Sequence, residues 1–321
     1  MHRLGAVGSV VGVLLLTACG RGQPAVTQDP GAPVTAATVA SAVYEIAAGS
    51  DGSTLWFAEF DGVRVVLHQF DTATGRDTPH ALGASSASGI GAHVRQGPDG
   101  AIWVSDDYAV FRYDPTRDLA SRITLPLRVP GALSGALDPS DPLPGTWVSA
   151  LAFDTEGDLL LARNHVPYLQ VLSPAGRIVG RVTLPEGYDG LSDLMKQGKD
   201  LLALAGHTHT DELGIAPVDT KVGGVASVAG QLRAAIGGSL RVFFADGGSV
   251  TSGDGQPTTW KRADGTELPL PLPSRQLDIT NPLGDPMNVT VRDDVTAAVQ
   301  VGDALWYVEQ TSRGYALKHL S

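Results

Sequence analysis

Pro98-Asp99-Gly100-Ala101-Ile102-Trp103-Val104-Ser105-Asp106 decides how this chain is read. Pro-Asp-Gly is turn chemistry: proline presets φ, aspartate binds nearby backbone, and glycine accepts positive φ. The apolar, partly β-branched and aromatic run that follows suits a strand. The unit recurs at Asp51-Gly52-Ser53-Thr54-Leu55-Trp56-Phe57-Ala58-Glu59 and at Glu156-Gly157-Asp158-Leu159-Leu160-Leu161-Ala162-Arg163. Weaker copies run from Gly198 to Ala205 and from Gly238 to Ala245, and the last runs from Gly302 to Glu309. Aligned on the Trp103 position, the copies are spaced by about 47, 57, 42, 40 and 64 residues. Propeller blades of four strands repeat at about 40–50 residues.

Each copy reads as the second strand of a blade. Val148–Asp154 is an inner strand, Ala109–Asp114 a third strand and Ser121–Leu125 a fourth. Apolar residues on both faces suit sheets stacked against neighbours. Trp56, Trp103 and Trp306 share one repeat position and read as blade-packing residues. The long gaps hold insertions, a Pro-rich one at Leu127–Gly145 and a Pro- and Asp-rich one at Ser274–Pro286. No amphipathic helix stands out; the best stretch, Gly190–Gln197, is too short. The expectation is an all-β, six-bladed β-propeller of four-stranded antiparallel blades, or seven blades if the longest gap hides a degenerate one. The last blade has sequence for only three strands, ending with Tyr315–Leu320. Val34–Ala40 is placed to supply the fourth, closing the ring and removing an open edge.

The Pro-Asp-Gly-x-x-Trp-Val/Phe-x-Glu/Asp texture resembles the streptogramin lyase (virginiamycin B lyase-like) propellers, and also NHL and SMP-30/gluconolactonase-type propellers. The resemblance covers most of the chain after residue 33. It implies a propeller, since the motif builds a turn and a strand. Two departures stand against carrying over chemistry. The Ile-Gly-Arg-Ile segment of lyase blades and the Asn-Gly before the gluconolactonase Ser-Pro-Asp-Gly are both missing here. No catalytic residue is therefore transferred from either family.

The N-terminal segment has its own signal. His2 and Arg3 precede an apolar run, Leu4–Leu16, of about 13 residues, short of the roughly 20 a spanning helix needs. Leu16-Thr17-Ala18-Cys19 closes it and resembles the lipobox of bacterial lipoproteins, with the chain's 1 cysteine at its end. The resemblance implies cleavage before Cys19, a thioether lipid on Cys19 and attachment to the extracytoplasmic face of the cell membrane through several acyl chains. The expected organisation is a leader over 1–18, lipidated Cys19 with a flexible tether to Pro33, and a propeller over 34–321. With Cys19 lipidated, no disulfide supports the fold. The net charge of -11 and pI of about 5.1 argue against nucleic acid, which needs clustered Lys and Arg.

In a propeller, the loops after second strands gather at one end around the axis. The sequence places there Glu59 and Asp61; Asp106, Asp107 and Tyr108; Arg163, Asn164 and His165; His207, His209, Asp211 and Glu212; Asp246; and Glu309 with Gln310. Carboxylates and imidazoles in one cavity can bind a divalent cation or act as acid and base. Gly206-His207-Thr208-His209-Thr210-Asp211-Glu212 is the sharpest local pattern, because His-x-His on an extended segment points both rings the same way. Asp211, Glu212 or His165 would complete a zinc-like set. The bland readings are solvated turn residues. Trp147, at the start of an inner strand, is a candidate stacking platform. No Gly-x-Ser-x-Gly elbow, Walker loop or dinucleotide fingerprint is present. Two functions stay open: an anchored propeller that binds an envelope protein or a small ligand, which is preferred, and a metal-dependent enzyme of lyase or lactonase type.

Overall fold

The structure is a computed structural model. It describes residues 32–321, apart from 87–91, 133–145, 155–156, 174, 184–187, 198–199, 208–209, 219–224, 228–230, 237–238, 245, 254–255, 273, 281–285, 293 and 312–313. Cys19, the leader, most of the tether and His209 lie outside the described residues, and for most of 184–239 only the backbone is described.

Among the described residues the secondary structure is all strand, in seven antiparallel sheets. Strand β1 is Val34–Val39. The first sheet holds β2 (Ile46–Ala48), β3 (Thr54–Phe60), β4 (Arg64–Asp71) and β5 (Arg76–Ala84). The second holds β6 (Val94–Gln96), β7 (Ile102–Asp106), β8 (Ala109–Asp114) and β9 (Leu119–Thr124). The third holds β10 (Val148–Asp154), β11 (Leu159–Arg163), β12 (Tyr168–Leu172) and β13 (Ile178–Thr183). The fourth holds β14 (Tyr188–Gln197), β15 (Asp200–His207) and β16 (Thr210–Val218), and a short β17 (Val225–Ser227) adds to the free edge of β10. The fifth holds β18 (Gln231–Ile236), β19 (Ser239–Phe244), β20 (Ser249–Gly253), β21 (Gln256–Lys261) and β22 (Glu267–Pro269). A separate hairpin, β23 (Ser274–Thr280) with β24 (Pro286–Arg292), occupies the second insertion. The last sheet holds β25 (Asp294–Val301), β26 (Ala304–Thr311) and β27 (Gly314–Leu320).

The inner strands meet in sequence: β2 with β6, β6 with β10, β10 with β14, and β14 with β18. Strand β19 then meets β25, and β25 meets β2. This is a propeller ring. Tight turns join inner to second strands at one end of the ring, the turn end. The connections from second to third strands, and those into the next inner strand, lie at the other, the loop end. The Pro98-Asp99-Gly100 turn shows why its residues are needed. Gly100 has φ of 79°, and a Cβ on Gly97 would stand 2.8 Å from Asp99 Oδ1 and 3.0 Å from Trp103 Nε1.

The core lies between sheets. Trp56, Trp103 and Trp306 are 4%, 2% and 7% exposed, as their shared repeat position implies. Each reaches an aromatic ring of the next sheet: Trp56 meets Tyr113 at 6.2 Å, Trp103 meets Phe153 at 5.7 Å and Trp306 meets Phe70 at 5.8 Å. Around each pair, apolar residues of two sheets form one cluster, as Ile102 and Val104 do with Trp56 and Leu67. An aromatic of this size buries about 150–250 Å², so each is worth several kcal/mol of packing.

The ring is closed as the N-terminal sequence implies. Strand β1 pairs antiparallel with β27, from Val34 opposite His319 to Val39 opposite Tyr315. Val39 is 3% exposed and sits in a cluster with Val43, Phe57, Trp306 and Leu317.

The fifth copy of the repeat is out of the phase the sequence implies. Strand β19 was expected as a second strand with Asp246 at the loop end. Instead Asp246 Oδ2 accepts from Gln300 Nε2 at 2.9 Å, and the same Nε2 reaches Gly302 O in the β25–β26 turn. At the other end of β20, the Ser252 hydroxyl donates to Asp294 at the start of β25. So β19 leads into a turn-end hairpin as an inner strand does, and β20 runs back as a second strand. The second-strand signal belongs to Asp246-Gly247-Gly248-Ser249-Val250, and β18 is an extra strand inside it. The two hairpins tempt the eye equally, because Gly-Gly follows both Ile236 and Asp246. This sheet therefore has five strands, while the fourth shows three among the described residues.

Val39→Asp should lower stability by about 3 kcal/mol or more, since it buries an unpaired carboxylate at the closure. Urea unfolding of the full chain checks this; a midpoint equal to that of the unsubstituted protein would show that β1 does not hold the ring shut.

Candidate functional site

The sequence candidates at the loop end are held by local bonds rather than gathered on one point. Glu59, at the end of β3, is 8% exposed. Its Oε1 accepts from Ala40 N at 2.9 Å, just past the closing strand. Its Oε2 lies 3.6 Å from His68 Nε2, whose Nδ1 meets Asp77 at 2.9 Å. Burial works against charge on His68, but the hydrogen bonds to Glu59 and Asp77 outweigh it and hold its pKa above 6.5. Asp61 is a turn residue, capping Val63 N and Arg64 N. Asp106 is saturated: its oxygens accept from the Ser85 hydroxyl at 2.9 Å, Ser86 N at 2.5 Å and the Ser86 hydroxyl at 2.8 Å. Glu309, 1% exposed, pairs with Lys318 Nζ at 2.5 Å across β26 and β27.

His165 occupies the β11–β12 loop with φ of 56°, the left-handed region, and is half-buried. His207 ends β15 opposite Thr210 at the start of β16, and His209 lies outside the described residues. Asp211 follows on β16. Neither side chain is among those described. Among the described residues, no three His, Cys, Asp or Glu form a metal-binding group. Asp246 belongs to the turn end and is removed from the loop-end set by its bond to Gln300.

The sequence reading missed the polar residues before the inner strands. Glu45 precedes β2, His93 precedes β6, and Arg95 lies on β6; they are 2%, 1% and 2% exposed. Glu45 Oε2 meets His93 Nδ1 at 3.1 Å, and Glu45 Oε1 accepts from Arg95 Nη1. Arg95 Nε donates to Leu151 O on β10 at 3.1 Å. Three sheets are thereby tied at the axis. The guanidinium supplies a fixed positive charge where the Glu45 carboxylate would otherwise attract a cation. The signal was legible: a charged residue inside each of the apolar runs Val43–Ala47 and Ala92–Val94.

Arg163, which the sequence placed at the loop end without a role, is 0% exposed at the end of β11. Its Nε donates to Thr146 O at 2.6 Å, Nη1 to Pro126 O at 2.6 Å and Nη2 to Thr146 Oγ1 at 3.3 Å. Pro126 and Thr146 are the two stems of the first insertion, and Thr146 Oγ1 also donates to Leu127 O at 3.1 Å. One buried cation thus clamps the base of that loop. Burial draws its pKa down to about 10, so it stays charged at neutral pH.

Where the second and third sheets meet at the loop end, Asp107 and Ser149 are left with unpaired atoms among the described residues. Asp107 follows β7 and is 5% exposed, with Oδ1 unpaired among the described residues. Its carbonyl accepts from Val148 N at 2.8 Å, which fixes it against the start of β10. There Val148 faces Arg163 and Ala150 faces Ala162, so Ser149 is the extra residue of a β-bulge. Ser149 is 8% exposed and its hydroxyl is also unpaired. Bulges re-aim side chains and recur beside active sites. Half-buried Trp147 and His165 flank the spot, joined through the Asn164 N to Trp147 O bond of 2.9 Å. Burial, reinforced by the Asp106 carboxylate, pushes the Asp107 pKa up to about 6.

No protein-family profile and no curated protein matches the chain. Several solved structures share its fold. A gluconolactonase of Xanthomonas campestris is 15% identical with a TM-score of 0.50, covering 91% of this chain and 90% of its own. A second protein described as a putative gluconolactonase is 11% identical, also at 0.50, over 91% and 93% of the two chains. Virginiamycin B lyase from Staphylococcus aureus, in a catalytically inactive form with quinupristin, is 11% identical at 0.49, over 90% and 98%. At such identities the likeness is one of fold, and the propeller architecture agrees with the resemblance read from the Pro-Asp-Gly repeats.

Two outcomes follow from this geometry. Arg163→Met should cost about 3 kcal/mol, because it leaves the Pro126 and Thr146 carbonyls unmet. It should also speed protease cleavage within 127–145; unchanged cleavage would refute the clamp. Asp107→Asn should act the other way. The folded chain keeps the Asp107 proton to about pH 6, whereas an ordinary aspartate loses it near 3.8, so stability is lost as pH rises between the two. The variant should be about 2 kcal/mol more stable at pH 8 and equal to the parent at pH 3.5. Urea titrations at both pH values decide it.

Proposed function

We propose that this protein is a lipid-anchored, extracytoplasmic recognition propeller that binds a partner protein or ligand at its loop end. The observation that carries the reading is the contrast between neighbouring acids at that end. Glu59 and Asp106 are committed to hydrogen bonds across strands, while Asp107 and Ser149 are buried with atoms unmatched among the described residues. A fold keeps such groups when something outside it completes them. Lipid on Cys19 would hold the chain at the membrane through the flexible residues up to Pro33. The loop end would then be free to meet envelope partners.

A metal-dependent lyase or lactonase is the second reading. It is favoured by the His-x-His pattern of the sequence, whose first histidine, His207, ends β15 opposite Thr210. Metal would come with His207, His209 and a carboxylate such as Asp211.

The test uses the full chain in membranes. Labelling with radioactive palmitate should mark the protein and be lost in Cys19→Ala. Crosslinked partners should fall at least fivefold in Trp147→Ala with His165→Ala, and stay unchanged in Glu267→Ala on the outer strand β22. Equal capture by all three would sink the loop-end reading. About one equivalent of zinc, manganese or calcium, lost in His207→Ala with His209→Ala, would move the conclusion to the enzyme.

A further inference from the structure

We infer that Asp107 and Ser149 form a subsite for an alkylammonium group, such as a lysine side chain of the partner, at the junction of the second and third sheets. The inference rests on the loop-end recognition reading and gives that end a specific chemistry.

The argument begins with charge. Asp106 and Asp107 are consecutive, 6% and 5% exposed, and among the described residues neither takes part in an ion pair. Elsewhere in this protein the buried acids have cations: Glu45 has Arg95 and Glu309 has Lys318. A buried carboxylate without one is strongly unfavourable unless a counter-charge arrives. Two arginines stand at this junction: Arg95 is held by Glu45 and Leu151, and Arg163 spends its guanidinium on Pro126 and Thr146. Among the described residues no side chain supplies the cation, which leaves the place to a ligand.

The donor count then selects its kind. A calcium ion takes six or more oxygens. Asp106 has both oxygens engaged by three donors from Ser85 and Ser86, so little beyond Asp107 and the Ser149 hydroxyl is left to offer. An ammonium has three N–H donors and no acceptor. Asp107 Oδ1 and Ser149 Oγ are two acceptors without partners, and Val148 N fixes the Asp107 backbone one residue from Ser149. The chain's net charge of -11 draws cationic groups toward it at long range. Trp147 and His165, half-buried at the rim, give the apolar stem of such a side chain a surface to lie on.

The probe is n-butylammonium chloride, titrated into the full chain in detergent with aspartate labelled by carbon-13 at the carboxyl, at pH 7.5. A saturable shift of the Asp107 resonance is expected at millimolar probe. Ser149→Ala should weaken the midpoint at least threefold, and the signal should vanish in Asp107→Asn, which is expected to fold. An equal shift with n-butanol, an unchanged midpoint in Ser149→Ala, or calcium displacing the probe mole for mole would overturn the subsite. No partner is present in this measurement. A negative result alongside loop-end-dependent crosslinking rejects the subsite alone, whereas probe binding without such crosslinking rejects the recognition reading.

Discussion

The tryptophan wedged between neighbouring sheets is the contact on which the architecture rests. Trp56, Trp103 and Trp306 each stand on a second strand and meet an aromatic ring one sheet further round. A four-stranded sheet with two apolar faces is insoluble by itself; it is stable only when both faces are covered. The repeat supplies that cover by giving every sheet a neighbour on each side. Closing the ring is then obligatory, and β1 against β27 does it with the chain's own N-terminal strand.

Once the faces are filled, only the two ends of the ring remain for other work. The turn end is built from Asp-Gly and Gly-Gly hairpins, whose acids cap nearby backbone amides, as Asp51 does for Ser53 and Thr54. The loop end is different. Its connections into the next inner strand are longer, its inner strands β10 and β25 begin with bulges, and Glu45 and Asp106 are bonded across sheets. Glu45, His93 and Arg95 fasten three sheets at the axis, and Arg163 fastens the first insertion. These are rigid supports. Asp107 and Ser149 are buried groups that such support leaves with unpaired atoms among the described residues.

Much of this was legible in advance. Strand β10 coincides with the Val148–Asp154 run, and the closing role of Val34–Ala40 follows from a last blade one strand short. The misplaced fifth copy shows where a linear reading fails. Gly237-Gly238 and Gly247-Gly248 are equally good turns, and an apolar run follows or precedes each. Turn propensity is local, so it cannot choose the phase; the choice comes from Gln300 and Asp294 on the next sheet, some fifty residues away.

The candidate acids divide along the same line. Their residue types and approximate end of the ring were set by position after a second strand, because strand alternation and turn chemistry act over a few residues. Which of them is satisfied was not. Asp106 and Asp107 are neighbours of one type, yet Ser85 and Ser86 arrive after β5 to saturate the first, and among the described residues no donor reaches Oδ1 of the second. The sequence by itself determined an all-β ring of repeated sheets with tryptophan wedges and a self-supplied closing strand. Only the tertiary structure decided which buried polar groups are paired, because pairing depends on donors delivered from distant sheets.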